Sequence, residues 1–249
     1  MSLPVHLVPS LSGAAVGGTV VVEGEEAHHA VAVRRLGVGE EVVLTDGRGG
    51  RAVGRVSATA KRRLEVRVEE MEAVPRVAPF VTVVQALPKG ERGERAVEVL
   101  TEIGVDRIVP WAAARSVAVW RGERAARSLT RWRVTAREAA KQARRSWFPE
   151  VAELPTLRGA TGVVAAAALA LVLHEAADAP LLAGPAHTPG APSEVVVVVG
   201  PEGGLTDDEV AAFVAVGGRA VRLGPEVLRT STAGLAAVAA LLSRTPRWG

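Results

Sequence analysis

The chain has 249 residues, 48% of them hydrophobic, and carries 30 Lys and Arg against 27 Asp and Glu for a net charge of +3 at pH 7. That is ample for a packed core in one large or two modest domains. The absence of cysteine excludes disulfides, thiolate nucleophiles and cysteine-held zinc or iron–sulfur centres. Five scattered histidines with no H-E-x-x-H spacing give a metal site no support. No stretch has the pattern of a secretory leader or approaches the roughly 18 apolar residues of a membrane span, so the expectation is a cytoplasmic globular protein with no metal and no membrane partner.

Residues 1–72 hold short alternating runs at 19–22, 41–45, 52–56 and 64–68, punctuated by glycine. This pattern predicts a small antiparallel β domain, a barrel in form, with Asp46-Gly47 and Gly49-Gly50 as a turn. Pro75 and Pro79 then interrupt the pattern and mark a linker. From residue 76 to 249 the order becomes strand and helix in alternation. Strands are expected at 80–86, 107–109, 168–174, 195–199 and 220–223, and helices at 91–103, 121–145, from Asp207 and from about Thr232. Such alternation argues a parallel α/β sheet. The alanine-rich stretch 160–170 suits helix or strand equally.

Five consecutive valines at 195–199 read as a strand buried on both faces, hence the middle of that sheet. The loop Gly200-Pro201-Glu202-Gly203-Gly204 follows it, and open α/β sheets bind small molecules at the carboxyl ends of their strands. Its glycines leave main-chain groups uncovered, so a flat heterocycle can lie against them. Neither a P-loop nor a dinucleotide fingerprint fits: the nearest lysine is Lys141, and G-x-G-x-x-G is not matched. Thr206-Asp207-Asp208-Glu209 is a capping box that starts a helix directly after the loop. A second loop, from Leu223-Gly224-Pro225 to Ala233, precedes a nearly all-apolar helical stretch that must be buried, in a core or in a dimer. Thr230, Ser231 and Thr232 are candidates to cap it. Between Arg121 and Arg145 stand nine basic residues and two acids, a block suited to nucleic acid phosphates.

The two loops, GPEGGLT-x-x-E and LGP-x-VLRT-x-TA, resemble the paired signature of the ribosomal RNA small-subunit methyltransferase E family, in the knotted SPOUT class of S-adenosylmethionine-dependent enzymes. The resemblance extends through Lys89-Gly90-Glu91-Arg92, Thr101 to Val105, Pro110 with Arg115-Ser116, Ala139 to Gln142 with Arg144, Arg145 and Pro149, and His28-His29 through Arg34-Arg35 to Asp46-Gly47. It runs in order along nearly the whole chain. Glu226 and Ser231 stand where the family often has Arg and Glu, and the first ten residues lack the family's arginine, so the roles of those family side chains are not carried over.

The resemblance implies a deep C-terminal trefoil knot, a PUA-like N-terminal barrel that binds RNA, a homodimer, and transfer of a methyl group to N3 of one uridine in 16S ribosomal RNA, free or in the small subunit. It implies that His174, Val199, Gly200, Pro201, Glu202, Gly203, Leu223, Gly224, Leu228, Ser231, Thr232 and Ala233 surround S-adenosylmethionine, largely through main-chain groups. Leu223 and Leu228 would wall the adenine. Arg229 stands near a helix start, where a cation is unfavourable against the dipole. A guanidinium there could meet the uracil carbonyls as N3 loses its proton. Glu202 is either a loop carboxylate held by amides or a group that orients the base or takes its proton. RNA contacts are expected at Arg34, Arg35, Lys89, Arg115, Arg144 and Arg145. Two rivals stand beside this reading: a SPOUT enzyme with another RNA target, and a noncatalytic RNA-binding protein of the same fold.

Overall fold

The computed structural model describes residues 3–182 and 193–248, and the chain divides into two compact units. The first comprises residues up to Arg76 together with Ala140–Phe148; the second comprises Val77–Ala139 and the residues from Pro149 onward.

In the first unit five strands, β1 (Val5–Leu7), β2 (Thr19–Glu23), β3 (Glu41–Thr45), β4 (Gly50–Ala60) and β5 (Arg63–Ala73), form one sheet in the order β1-β3-β4-β5-β2. Along β5, Leu64, Val66 and Val68 are buried while the residues between them are not, the period of two of a half-buried strand. They pack with Val22, Val42, Leu44 and Ala27 in a core of the unit's own. Register shifts in the β4–β5 ladder, at Val53/Gly54 and Val56/Ala58, bend and twist the long hairpin. The domain is not wholly antiparallel. β1 runs parallel to β3, and α1 (Gly24–His28) with a π-helical turn at His29–Val33 occupies the gap between β2 and β3.

The long helix α3 (Gly122–Gln142) stops three residues short of the expected end, because Arg144 adopts φ 53°. Its last turn belongs to the first unit. Lys141, one of the nine basic residues between Arg121 and Arg145 expected to suit nucleic acid phosphates, is instead only 7% exposed. Its Nζ donates to both carboxylate oxygens of Glu26, at 3.1 and 3.0 Å, and His6 Nδ1 lies 3.1 Å from Glu26 Oε1. Burial raises the Glu26 pKa, but the hydrogen bonds and charges of His6 and Lys141 outweigh it and lower the carboxyl to about 2.

The second unit is a six-stranded sheet in the order β11-β9-β10-β6-β7-β8. Its strands are β6 (Phe80–Ala86), β7 (Arg107–Trp111), β8 (Glu150–Val151), β9 (Leu169–Leu173), β10 (Glu194–Val199) and β11 (Arg219–Val221), and every pairing is parallel. The alanine-rich stretch resolves into α4 (Leu157–Ala165), capped by Thr156, and then β9. The valines of β10 alternate: Val195, Val197 and Val199 join the core on one face and Val196 and Val198 the core on the other. Burial on both faces, at roughly 1.5 kcal/mol or more per side chain, is why no polar residue interrupts the run. The first face is covered in part by α2 (Arg92–Ile103) and α6 (Thr230–Leu242), the second by α4 and α5 (Asp207–Ala215). β11 lies at the sheet edge beside β9, yet α6 packs on β10, β6 and α2, so the chain returns from the edge to the middle of the sheet after β11. Near the C-terminus, Arg247 donates to Asp106 and to the carbonyl of Pro79.

Because the folded Glu26 carboxyl titrates near 2 instead of 4.5, its stabilising contribution is complete above the unfolded value and is lost as pH falls from about 4.5 towards 2. Glu26→Gln is expected to lower stability at pH 7 by about 3 kcal/mol and to flatten stability between pH 5 and pH 2. Urea denaturation at a series of pH values checks this; an unchanged pH dependence would contradict it.

Candidate functional site

The carboxyl ends of β9 and β10, with the segment that follows β11, converge on one cleft of about 480 Å³. The two glycine loops meet there. Thr230 Oγ1 donates to the carbonyl of Gly200 at 2.9 Å, and Gln85 Nε2, at the end of β6, donates to the carbonyls of Ala86 and Thr230. Gln85 is 1% exposed and Thr230 5%, so this linkage is shielded from water.

The first loop is braced from several sides. Thr206 and Glu209 form the expected capping box, with Thr206 N–H to Glu209 Oε2 at 2.9 Å and Glu209 N–H to Thr206 Oγ1 at 3.2 Å. Glu209 Oε1 also accepts from Ala114 N–H at 2.7 Å. Arg115 Nη1 donates to the carbonyls of Gly203 and Leu205, both at 3.2 Å. A Cβ on Gly203 would stand 3.0 Å from Arg115 Cβ, and Gly204 has φ +73°, a conformation L side chains rarely adopt. The loop therefore needs both glycines, one for room and one for its backbone angle.

Of the residues expected around a cofactor, His174, Val199, Gly200, Pro201, Glu202, Leu223, Gly224, Leu228 and Ala233 line the cleft. Gly203, Ser231 and Thr232 are not among its walls: Gly203 backs onto Arg115, Ser231 is buried and Thr232 is exposed. None of the three hydroxyl residues caps α6 from its side chain. The cap is Arg229, with no side-chain hydrogen bond, while Thr230 points its hydroxyl to Gly200 and Thr232 donates to Arg229 O. The Arg229 side chain lines the cleft, is exposed, and makes no ion pair among the described residues. Sequence reasoning missed Leu173 and Thr230 as walls. Both are single steps from residues it named, and alternation along a strand or the start of a helix gives the only local signal for them.

Glu202 Oε1 accepts from Lys89 N–H and from Arg92 Nη1, each at 3.2 Å. Burial raises its pKa, but backbone hydrogen bonds from its own amide and that of Lys89, and the Arg92 guanidinium, pull it below the usual value. It is a carboxylate at neutral pH and a weak proton acceptor. Arg34, Arg35 and Arg144 are exposed on the first unit, where Arg145 is half-buried and donates to Trp147 O. Lys89 and Arg115 belong to the second unit.

The cleft suits an uncharged or zwitterionic heterocyclic ligand. It is within the usual size of small-molecule sites, its walls mix leucine and valine with open main chain at Gly200 and Gly224, and its charged residues are of both signs, Arg115, Arg222 and Arg229 against Glu175, Glu202, Asp207 and Glu226. Among the described residues no group of three or more His, Asp or Glu is placed to hold a metal, and no helix is long and apolar enough to cross a membrane. Glu209→Ala should lower stability by about 1–3 kcal/mol, since it strands the Ala114 amide and removes half of the capping box; thermal unfolding of the purified variant measures this, and an unchanged midpoint would refute the bracing role.

Comparison with known proteins agrees with this architecture. Residues 76–242 match a family model described as an RNA methyltransferase domain, and residues 22–69 match one described as an RNA methyltransferase PUA domain. The chain is 46% identical over 236 residues to the ribosomal RNA small subunit methyltransferase E of Mycobacterium bovis, covering 93% of this chain and 89% of the relative. It is 31% identical to that of Bacillus subtilis, with 91% of each covered. The crystal structure of a ribosomal RNA small subunit methyltransferase E from Neisseria gonorrhoeae bound to S-adenosyl methionine superposes with a TM-score of 0.85 at 27% identity, over 97% of this chain and 98% of that one. With matching models for both parts of the chain and near-full-length relatives above 30% identity, the chain belongs to the ribosomal RNA small subunit methyltransferase E family.

Proposed function

We propose that this protein is an S-adenosylmethionine-dependent methyltransferase that modifies N3 of one uridine in 16S ribosomal RNA of the small subunit. The observation that carries the reading is the single cleft formed by the two glycine loops, joined through Thr230 and Gly200. Main-chain groups of Val199, Gly200 and Gly224 and the side chains of Leu223, Leu228 and Ala233 would hold the cofactor, and His174 would border it. S-adenosylmethionine supplies a methyl group already activated by its sulfonium. The chain's own task is then to align the uracil with that group, exclude water and weaken the N3–H bond.

Arg229 is the residue best suited to the last task. Its guanidinium has no ion pair among the described residues and stands at the cleft, where it can stabilise negative charge on the uracil carbonyl oxygens as the proton leaves. Glu202, held ionised by Arg92 and the Lys89 amide, fits the orienting role and not that of proton acceptor. The Watson–Crick edge must be free, so the uridine has to be unpaired or flipped out. The first unit, with Arg34, Arg35, Arg144 and Arg145, would dock the RNA through phosphate and shape. A homodimer is consistent with the half-buried apolar residues Leu235, Ala236 and Ala240 on α6. The return of the chain from β11 to the sheet centre suits the trefoil knot of the SPOUT class, and rRNA modification suits the cytoplasm.

Methylation of small subunits from a strain lacking the gene, read by mass spectrometry of nucleosides, should yield 3-methyluridine; another modified nucleoside would favour a different target, and none would favour a binding protein. Arg229→Ala should lower kcat about 100-fold and leave cofactor affinity by calorimetry unchanged. Undiminished turnover would remove Arg229 from the mechanism.

A further inference from the structure

The segment that supports Glu202 has a second side. Residues 87–94, which reach Glu202 through Lys89 and Arg92, also line a separate cavity of about 440 Å³ closed by residues 117–120 and by the first turns of α3. Two indoles form part of its apolar wall, with Leu87, Val117, Ala118 and Val119. Trp120 and Trp132 meet edge to face with ring centroids 5.0 Å apart and planes at 80°. Trp132 is 2% exposed, and its Nε1–H donates to no group among the described residues. Gly93 makes room for it, since a Cβ there would lie 3.0 Å from that nitrogen.

The rim carries three cations, Lys89, Arg124 and Arg131, against two carboxylates, Glu91 and Glu94. Lys89 and Arg124 are exposed and have no ion-pair partner among the described residues, and Arg131 shares Glu94 at 3.2 Å. A flat indole, an indole N–H with no partner among the described residues and two cations with no ion pair among them, around a cavity of this size, match the parts of a nucleotide: a base to stack, a carbonyl or ring nitrogen to accept, and a phosphate to neutralise. An apolar peptide side chain would leave the cations and the indole N–H unused.

We propose that this cavity takes an unpaired nucleotide of the substrate RNA, close in the strand to the nucleotide whose base is methylated. The assignment rests on the methyl-transfer reading given above, because one segment links the two cavities: the Lys89 amide and Arg92 donate to Glu202, which lines the methyl-donor cleft, while Lys89 lines the other cavity. Seating a neighbouring nucleotide here would pull the strand out of its stack and present the next base at the cleft. It also gives the enzyme an aromatic platform that its scarcity of aromatic residues, 3% of the chain, otherwise denies it.

The test is titration of the full chain with a short oligouridylate, followed by tryptophan fluorescence, alongside methyl transfer to unmethylated small subunits. Trp120→Ala should weaken oligouridylate binding about tenfold and raise KM for subunits to a similar degree, with kcat and S-adenosylmethionine affinity unchanged. Trp120→Phe should keep most of the binding, and Arg124→Ala should reduce the salt dependence by about one phosphate contact. Wild-type oligouridylate affinity in Trp120→Ala would overturn the proposal, and so would a parallel loss of cofactor affinity, which would mark a merely structural role. A raised KM for subunits with unchanged oligouridylate binding would assign the cavity to a ribosomal protein and also overturn it. If the wild type binds oligouridylate through Trp120 but methylates no RNA, the methyl-transfer reading fails and the nucleotide site stands.

Discussion

The hydrogen bond from Thr230 to the carbonyl of Gly200 is the constraint on which the site depends. It ties the first residue of α6 to the first residue after β10, two points 30 positions apart in sequence, and Gln85 adds β6 to the same junction. Thr230 and Gln85 are buried and Gly200 is half-buried, and away from water an unmade hydrogen bond costs more than a made one contributes. The junction thereby fixes both loops at once. It holds one loop over β10 and brings the other back from the sheet edge, so that uncovered main chain from the two faces a common space.

Around that junction the second unit spends charged side chains on rigidity. Glu209 serves the capping box and the Ala114 amide together; Arg115 holds two carbonyls of the glycine loop; Arg92 and the Lys89 amide hold Glu202. The effect is a loop whose backbone is set before any ligand arrives, which lowers the entropic cost of binding. Arg229 is the exception. Its side chain stands at the positive end of α6 with no ion pair among the described residues, a position that is unfavourable in the free protein and useful when negative charge develops beside it.

Much of the second unit is legible in the sequence because its signals are local. Five valines in succession announce a strand with no solvent face, Thr206 and Glu209 announce a helix start, and the glycine spacing announces a backbone that must be left open. What is not legible arises from contacts distant in sequence. Lys141 reads as one more cation on a basic helix, and only its meeting with Glu26 and His6 turns it inward. The run Thr230, Ser231, Thr232 reads as a set of helix caps, but the Thr230 hydroxyl finds a better acceptor in Gly200 once β10 lies beside it. β1 is three residues long and its parallel pairing to β3 has no periodic signature. The paired indoles of Trp120 and Trp132 are separated by twelve positions across a loop and a helix, and no spacing rule links them.

The most direct measurement of the central claim is a crystal structure of the protein soaked with S-adenosylmethionine. The account predicts the adenine between Leu223 and Leu228, with main-chain groups of both glycine loops within hydrogen-bonding distance of the ligand and the methyl group directed towards Arg229. A ligand bound elsewhere, or held by one loop alone, would contradict it.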